Sequence, residues 1–217
     1  MPAAVTTTPK QPAYYPLFLD LLGHRCVVVG GGLVAERKVR ALLACGARVV
    51  VVSPRVYNGI RKLCDSGRIE LREKAYDTAD IDGVALVFAA TNDAATNERV
   101  SQDARERGIL VNVADSPDLC DFIVPAVVRQ GPIIIAISTS GTLPMLARRL
   151  RQEIGRQLSK DHARYTVKVG RLRKLLMERV GDRKKREKTL KELSKMDISE
   201  IAAMSMKELR ARFLKFR

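Results

Sequence analysis

The sequence predicts an α/β fold: a parallel, doubly wound sheet, followed by a small β-hairpin and a helical C-terminal region. Three observations predict it. Runs of β-branched residues alternate with helix-patterned segments from Arg25 to Val113, the signature of parallel strands joined by crossover helices. That alternation stops after Asp115, where two apolar runs follow one another across a glycine. From about Asp161 onward, helical periodicity alone remains.

The elements follow in order. Residues 1–13 are small, Thr- and Pro-containing and without periodicity, so they read as a mobile tail. Tyr14 to Leu22, YYPLFLDLL, is apolar and is expected to pack as an edge element before Gly23. Strands are expected at Arg25–Val29, Arg48–Val52, Ile69–Glu73, Ala85–Ala89 and Ile109–Val113, with helices at Val34–Cys45, Val56–Asp65 and Ala94–Arg107. Phe122–Val128 and Pro132–Ser138, split by Arg129-Gln130-Gly131, read as a hairpin. So much apolar surface on a hairpin needs a partner, and a second subunit would supply it. Ser138-Thr139-Ser140-Gly141-Thr142 leads into a helix with Pro144 near its first position, which suits an anion seat as well as it suits plain capping. Gly181-Asp182 breaks the helical remainder, and Asp197–Glu200 and Ser205–Glu208 have capping-box spacing. The expected domains are a tail 1–13, a sheet domain 14–115, a dimerisation region 116–150 and a basic helical domain 151–217.

Chemistry concentrates at Arg25–Arg37, RCVVVGGGLVAER. Gly30, Gly32 and Ala35 occupy the first, third and sixth places of G-x-G-x-x-G/A, between a strand and a helix. Gly30 turns the chain out of the strand, Gly32 leaves room for close approach, and Ala35 keeps the helix tight against the sheet. The free N–H groups opening that helix form an anion seat, and the anion expected there is a dinucleotide pyrophosphate held from Gly30, Gly31 and Gly32 to Leu33 and Val34. A glycine-rich turn without ligand is the bland alternative. The acidic residue that usually meets the ribose is absent, because the second strand ends in Ser53-Pro54-Arg55. Ribose contact is left to Ser53, to backbone or to Arg55, and Arg55 leaves a 2′-phosphate open. Ligands of such sheets bind beyond the carboxyl ends of the strands. Thr91-Asn92-Asp93 and Asp115 stand there; helix capping can coexist with a ligand role at the first, and a turn ahead of Ser116-Pro117 is the bland alternative for the second.

Composition narrows the classes. The formal net charge of the 217 residues is +15. From Arg151 onward 21 basic residues face 9 acidic ones, a net +12, so the excess belongs to the C-terminal third. This favours a polyanionic partner: nucleic acid, an acidic surface or a polycarboxylate. Aromatics that would stack bases are sparse there, with Tyr165, Phe213 and Phe216, so nucleic acid is not the expected partner. The four cysteines are scattered, without a C-x-x-C, and the two histidines are His24 and His162, so no metal ligands are expected. No apolar run approaches a membrane span and no signal core opens the chain, which predicts a cytoplasmic protein that does not enter a membrane.

The sequence resembles the precorrin-2 dehydrogenase family, the dehydrogenase and ferrochelatase module of siroheme synthases. The matching segments are YYPLFLDLLGHRCVVVGGGLVAERKVRALLACGARVVVVSP, LVFAATND with NERV, VNVADSPDLCDFIVPAVV and IAISTSGTLPMLARRLR, in family order over Tyr14 to about Glu153. The resemblance implies a Rossmann-like NAD-binding domain and NAD-dependent oxidation of precorrin-2 to sirohydrochlorin. In some members Fe²⁺ is also a substrate, inserted to give siroheme. It further implies a homodimer built through the hairpin region, with a helical domain over the substrate cleft. By position Gly30 to Val34 would take the pyrophosphate, Ser53, Pro54 and Arg55 the adenosine end, and Thr91 and Asn92 the nicotinamide side. Asp115 matches the acidic residue associated with catalysis. Thr139 replaces a serine that is phosphorylated in some members, so that regulation is not carried over. The competing reading is a non-catalytic Rossmann nucleotide sensor, or a nucleic-acid-binding protein with a basic helical arm.

Overall fold

The structure, a computed structural model, describes residues 14–214, so the tail expected over residues 1–13 lies outside the described residues. The chain divides into two compact units, Met1–Val124 and Pro125–Arg217.

The first unit is the sheet. Strands β1 (Arg25–Val29), β2 (Arg48–Val52), β3 (Glu70–Arg72), β4 (Leu86–Ala89) and β5 (Leu110–Val113) are all parallel, in the order β3-β2-β1-β4-β5. Their unbroken β-branched runs follow from burial on both faces. Cys26 and Val28 of β1 enter one core with Val49 and Val51 of β2, while Val27 and Val29 enter the opposite core with Val50 and Val52. Helix α1 (Leu33–Leu43) covers the first core with Ala35, Val39 and Leu42, and α2 (Asn58–Asp65) adds Ile60 and Leu63. Helix α3 (Ala94–Glu106) closes the second with Val100 and Ala104. The chain leaves β1 on one side towards β2 and returns on the other at β4. The neighbouring carboxyl ends of β1 and β4 therefore open a crevice.

Four local differences from the sequence reading have physical causes. Helix α2 begins at Asn58, not Val56, because Tyr57 is held extended with its N–H on the Gly31 carbonyl at 2.8 Å. Tyr14–Leu22 forms no edge element: it has no strand structure, and Tyr15, Phe18 and Leu22 are exposed. Gly23 donates to the Gly46 carbonyl at 2.9 Å and turns the chain straight into β1, so Leu21 is left to pack on the core. The first hairpin strand begins at Ala126 rather than Phe122, since Phe122 stays with the sheet, edge-on to Phe88 at a centroid distance of 5.6 Å. Thr78–Ile81 forms a 3₁₀ turn, capped reciprocally by Asp77 and Asp80, that the apolar pattern did not announce.

In the second unit β6 (Ala126–Gln130) and β7 (Ile133–Ile137) pair antiparallel around Gly131-Pro132, with Gly131 at φ +58°. Helix α4 (Pro144–Gln157) carries Pro144 in its first turn, as expected, and the hydroxyls before it serve turns: Thr139 Oγ1 accepts from Leu143 N–H at 3.2 Å. Helices α5 (Lys160–Arg179), α6 (Arg183–Lys195), α7 (Ile198–Ala203) and α8 (Met206–Phe213) share one core of Leu172, Leu176, Leu193, Ile201 and Leu209. Asp182 caps α6, Asp197 caps α7, and Ser205 forms a full capping box with Glu208. Among the described residues no helix is long and apolar enough to cross a membrane.

Candidate functional site

The three glycines after β1 do three different jobs. Gly30 has φ +121°, and a Cβ there would lie 2.3 Å from the Ala90 carbonyl oxygen, so glycine is required where β1 passes the end of β4. At Gly31 a Cβ would meet the Arg55 carbonyl at 2.0 Å and Ser53 Oγ at 2.8 Å, so this glycine lets the loop after β2 close over the turn. Gly32 is different: a Cβ there would meet nothing within 4 Å. It is the N-cap of α1, with no side-chain cap, and the first helical bond runs from Glu36 N–H to the Gly32 carbonyl at 3.0 Å. The N–H groups of Leu33, Val34 and Ala35 thus open the helix without helical acceptors, next to free space. Donors and the positive end of a helix dipole facing a void suit an anion.

A cavity of about 670 Å³ spreads from this turn across the carboxyl ends of β1, β2 and β4. Gly30, Gly31, Gly32, Ser53, Pro54, Arg55, Thr91 and Asn92 all line it, so the structure gathers eight sequence-selected residues around one space. Leu33, Val34 and Asp115 are not part of its lining. The Ser53 hydroxyl is buried and donates to the Arg55 carbonyl at 2.7 Å, which sets the loop and leaves the exposed Arg55 side chain facing solvent. Thr91 Oγ1 stands 2.8 Å from Asn97 Oδ1 and accepts from Asp93 N–H at 3.1 Å, while Asp93 caps α3 through Thr96 N–H. Capping and lining therefore coexist at Thr91–Asp93.

Tyr57, Ala75 and Tyr76 also line the cavity and were not singled out by the sequence reading. Tyr76 donates to Asp103 at 2.9 Å, and burial, followed by the Asp103 carboxylate, pushes its phenol well above the usual range. A tyrosine shortly after a strand was the available signal, since this edge of the sheet is where side chains meet ligands.

Asp115 follows β5 by two residues. The N–H of Ala114 still bonds the Ala89 carbonyl of β4 at 2.8 Å, and Asp115 then takes φ +58°, a left-handed conformation that aspartate tolerates better than most residues. Its side chain is exposed. The loop it opens is tied back at its far end: Asp121 exchanges bonds with the backbone of Val111, and Asn112 donates to the Phe122 carbonyl at 2.9 Å. Cys120 Sγ lies 3.1 Å from Val113 N. Asp115 is thus held on the same edge as the cavity, beside the end of β4.

Among the described residues no group of three His, Cys, Asp or Glu side chains could hold a metal ion.

A family model described as putative NAD(P)-binding matches residues 17–126. The siroheme synthase of Methylococcus capsulatus is 48% identical over 141 residues, 65% of this chain and 30% of that protein. That of Nitrosococcus oceani is 39% identical over 167 residues, 77% of this chain and 36% of the relative. The chain spans about a third of the length of these curated relatives. A solved structure of SirC, a precorrin-2 dehydrogenase, superposes with a TM-score of 0.77 at 27% identity, over 94% of this chain and the whole of that one.

Proposed function

The chain belongs to the precorrin-2 dehydrogenase family, whose NAD(P)-binding domain it carries, and from that premise we propose that it oxidises precorrin-2 to sirohydrochlorin with NAD⁺. The observation that carries the reading is the open space at Gly32, just after two glycines closed in by backbone and beside unpaired helical N–H groups. When bound there, NAD⁺ supplies the hydride acceptor. Gly30 to Val34 hold its pyrophosphate, Ser53 to Arg55 take the adenosine end, and Thr91 and Asn92 flank the nicotinamide side. No acidic side chain ends β2, so ribose contact falls to Ser53, to backbone or to Arg55, and comparing kcat/KM for NAD⁺ and NADP⁺ decides between the two cofactors.

Asp115 is the base that receives the proton lost during oxidation. Its carboxylate is exposed at the sheet edge next to the end of β4, where a substrate lying against the nicotinamide side would reach it. The basic residues of the C-terminal unit counter the substrate's carboxylates and raise its local concentration. Not every basic residue is free for this: Arg186 donates to the Val180 and Gly181 carbonyls at the end of α5, at 2.7 and 3.0 Å. Two further proposals follow from the same membership. The protein is a homodimer, supported by the exposed apolar residues Ile134, Leu143, Met145 and Leu146 on β7 and at the start of α4. Fe²⁺ is a second substrate, supported by the name of the siroheme synthases.

The test is to supply precorrin-2 and NAD⁺ anaerobically, follow sirohydrochlorin and NADH together, and then add Fe²⁺. Equal formation of both products supports the dehydrogenase, and its absence in a protein that binds NAD⁺ refutes it. Siroheme appearing only after Fe²⁺ is added supports the second activity.

A further inference from the structure

We propose that Lys38 is a positioning residue for the reaction end of the crevice, fixing through Asn112 the loop that carries Asp115. This rests on the reading of Asp115 as the base. Lys38 stands in the second turn of α1, on the flank turned towards β4 and β5. Its Nζ is 3.2 Å from Asn112 Oδ1 and 4.8 Å from the centroid of the Phe88 ring. Neither neighbour is charged. Methionine or leucine would fill the gap between α1 and Phe88 without withdrawing an ammonium from water, so packing alone does not account for the lysine.

What the ammonium adds is a donor. Asn112 is buried, and an amide can present either its oxygen or its NH₂ to a given neighbour. With Nζ donating to Oδ1, the NH₂ group must face the other way, where it donates to the Phe122 carbonyl at 2.9 Å and approaches Cys120 Sγ at 3.5 Å. Those two contacts clamp the returning end of the loop that Asp115 opens in a left-handed conformation. Remove the donor and Asn112 Oδ1 loses that partner, so the amide that clamps the Phe122 carbonyl is no longer held from the helix side.

The charges around Lys38 point the same way. Burial first, then Arg37 beside it on α1, pull its pKa below the ordinary lysine value, while Cys120 and Asp115 on the loop pull it up. The opposing cation is on its own helix and the carboxylate that attracts it, Asp115, is on the loop, while Cys120 is a thiol donating to the Val113 and Ser116 carbonyls. Strands β4 and β5 meet it with the uncharged Phe88 and Asn112. Lys38 therefore ties helix to loop by field as well as by hydrogen bond.

The experiment compares Lys38→Met and Lys38→Arg with wild type in the full chain, measuring dehydrogenase kcat, KM for precorrin-2, the dissociation constant for NAD⁺ and the thermal midpoint. Lys38→Met is expected to lose about ten- to a hundredfold in kcat, the scale of a small misplacement of reacting groups. KM and NAD⁺ affinity should hold, the thermal midpoint should fall by no more than a few degrees for the one lost hydrogen bond, Lys38→Arg should recover most of the rate, and Lys38→Met on top of Asp115→Asn should cost nothing more. A structural role would lower the midpoint without separating kcat from KM, and Arg would not rescue it. If Asp115→Asn is inactive while Lys38→Met keeps its kcat, or if the double variant loses further rate, the positioning claim falls and the reading of Asp115 stands. If Asp115→Asn keeps wild-type kcat, that reading falls instead. Should Lys38→Met fail to fold, Lys38→Gln is judged by the same criteria.

Discussion

The glycine turn and the β5 edge of the sheet are built by different means. At the glycine end the closest approaches are of backbone to backbone, Gly30 against Ala90, Gly31 against Arg55 and the Tyr57 N–H on the Gly31 carbonyl, with the Ser53 hydroxyl on the Arg55 carbonyl bracing the loop. Side chains contribute mainly by being absent. At the β5 end the loop that Asp115 opens is held by side chains, from Lys38 to Asn112 to the Phe122 carbonyl, with Cys120 and Asp121 alongside. Backbone gives a rigid seat whose requirements are steric, whereas a relay gives a reacting group whose placement can be tuned by one substitution. The contrast matches a division of labour in which one end holds and the other reacts.

The largest expected effect breaks the holding end alone. Gly32→Asp puts a carboxylate into the open space beside the α1 N–H groups, against the proposed pyrophosphate. Like charges brought together in this way cost several kcal/mol, so NAD⁺ affinity should fall by about a thousandfold in equilibrium titration. The chain should still fold, since a Cβ at this position meets no neighbour. Unchanged affinity would place the cofactor elsewhere.

A smaller effect sharpens the wall of that end. Asp80 is buried, accepts from Asp77 N–H at 2.9 Å, and pairs with Arg72 at 3.0 Å and Lys74 at 2.8 Å, which fixes the turn carrying Ala75 and Tyr76. Burial by itself would raise its carboxyl, but the bonds from Lys74, from the Asp77 backbone and from Arg72 prevail and hold it below the ordinary value. Asp80→Asn should cost about 1–3 kcal/mol in urea denaturation at neutral pH. A depressed native pKa means that the stabilisation is complete above the unfolded aspartate value, about 4, and is lost as pH falls through the native one. The gap between wild type and Asp80→Asn should therefore persist from pH 7 to about 5 and close under more acid conditions. A gap independent of pH would mean that lost packing, not charge, explains it.

The same contrast explains what could be read from the sequence. The five strands and the glycine seat were legible because each is written in adjacent residues: a β-branched run, a glycine spacing, a cap. That Ser53, Thr91 and Asn92 line the cavity was legible because strand ends deliver residues to a known edge. Lys38 and Asn112 lie 74 residues apart, and no periodicity links a lysine on a helix flank to an asparagine on a strand. Phe122 reads as the first residue of a β-run until Phe88 and Asn112 are seen to claim it. Tyr14–Leu22 misled for a related reason: apolar content says that a segment seeks cover, not that an edge lies within reach.

The central claim, that holding and reacting are separate functions of the two ends, is tested most directly by the single-turnover rate of Asp115→Asn with precorrin-2 at saturating NAD⁺. Asparagine keeps the size and most of the hydrogen bonding but cannot take up the proton. General-base assistance is worth about 10²- to 10⁴-fold, so the rate should fall by that factor while the NAD⁺ dissociation constant stays at its wild-type value. A wild-type rate, or a loss of rate matched by an equal loss of NAD⁺ affinity, would contradict the account.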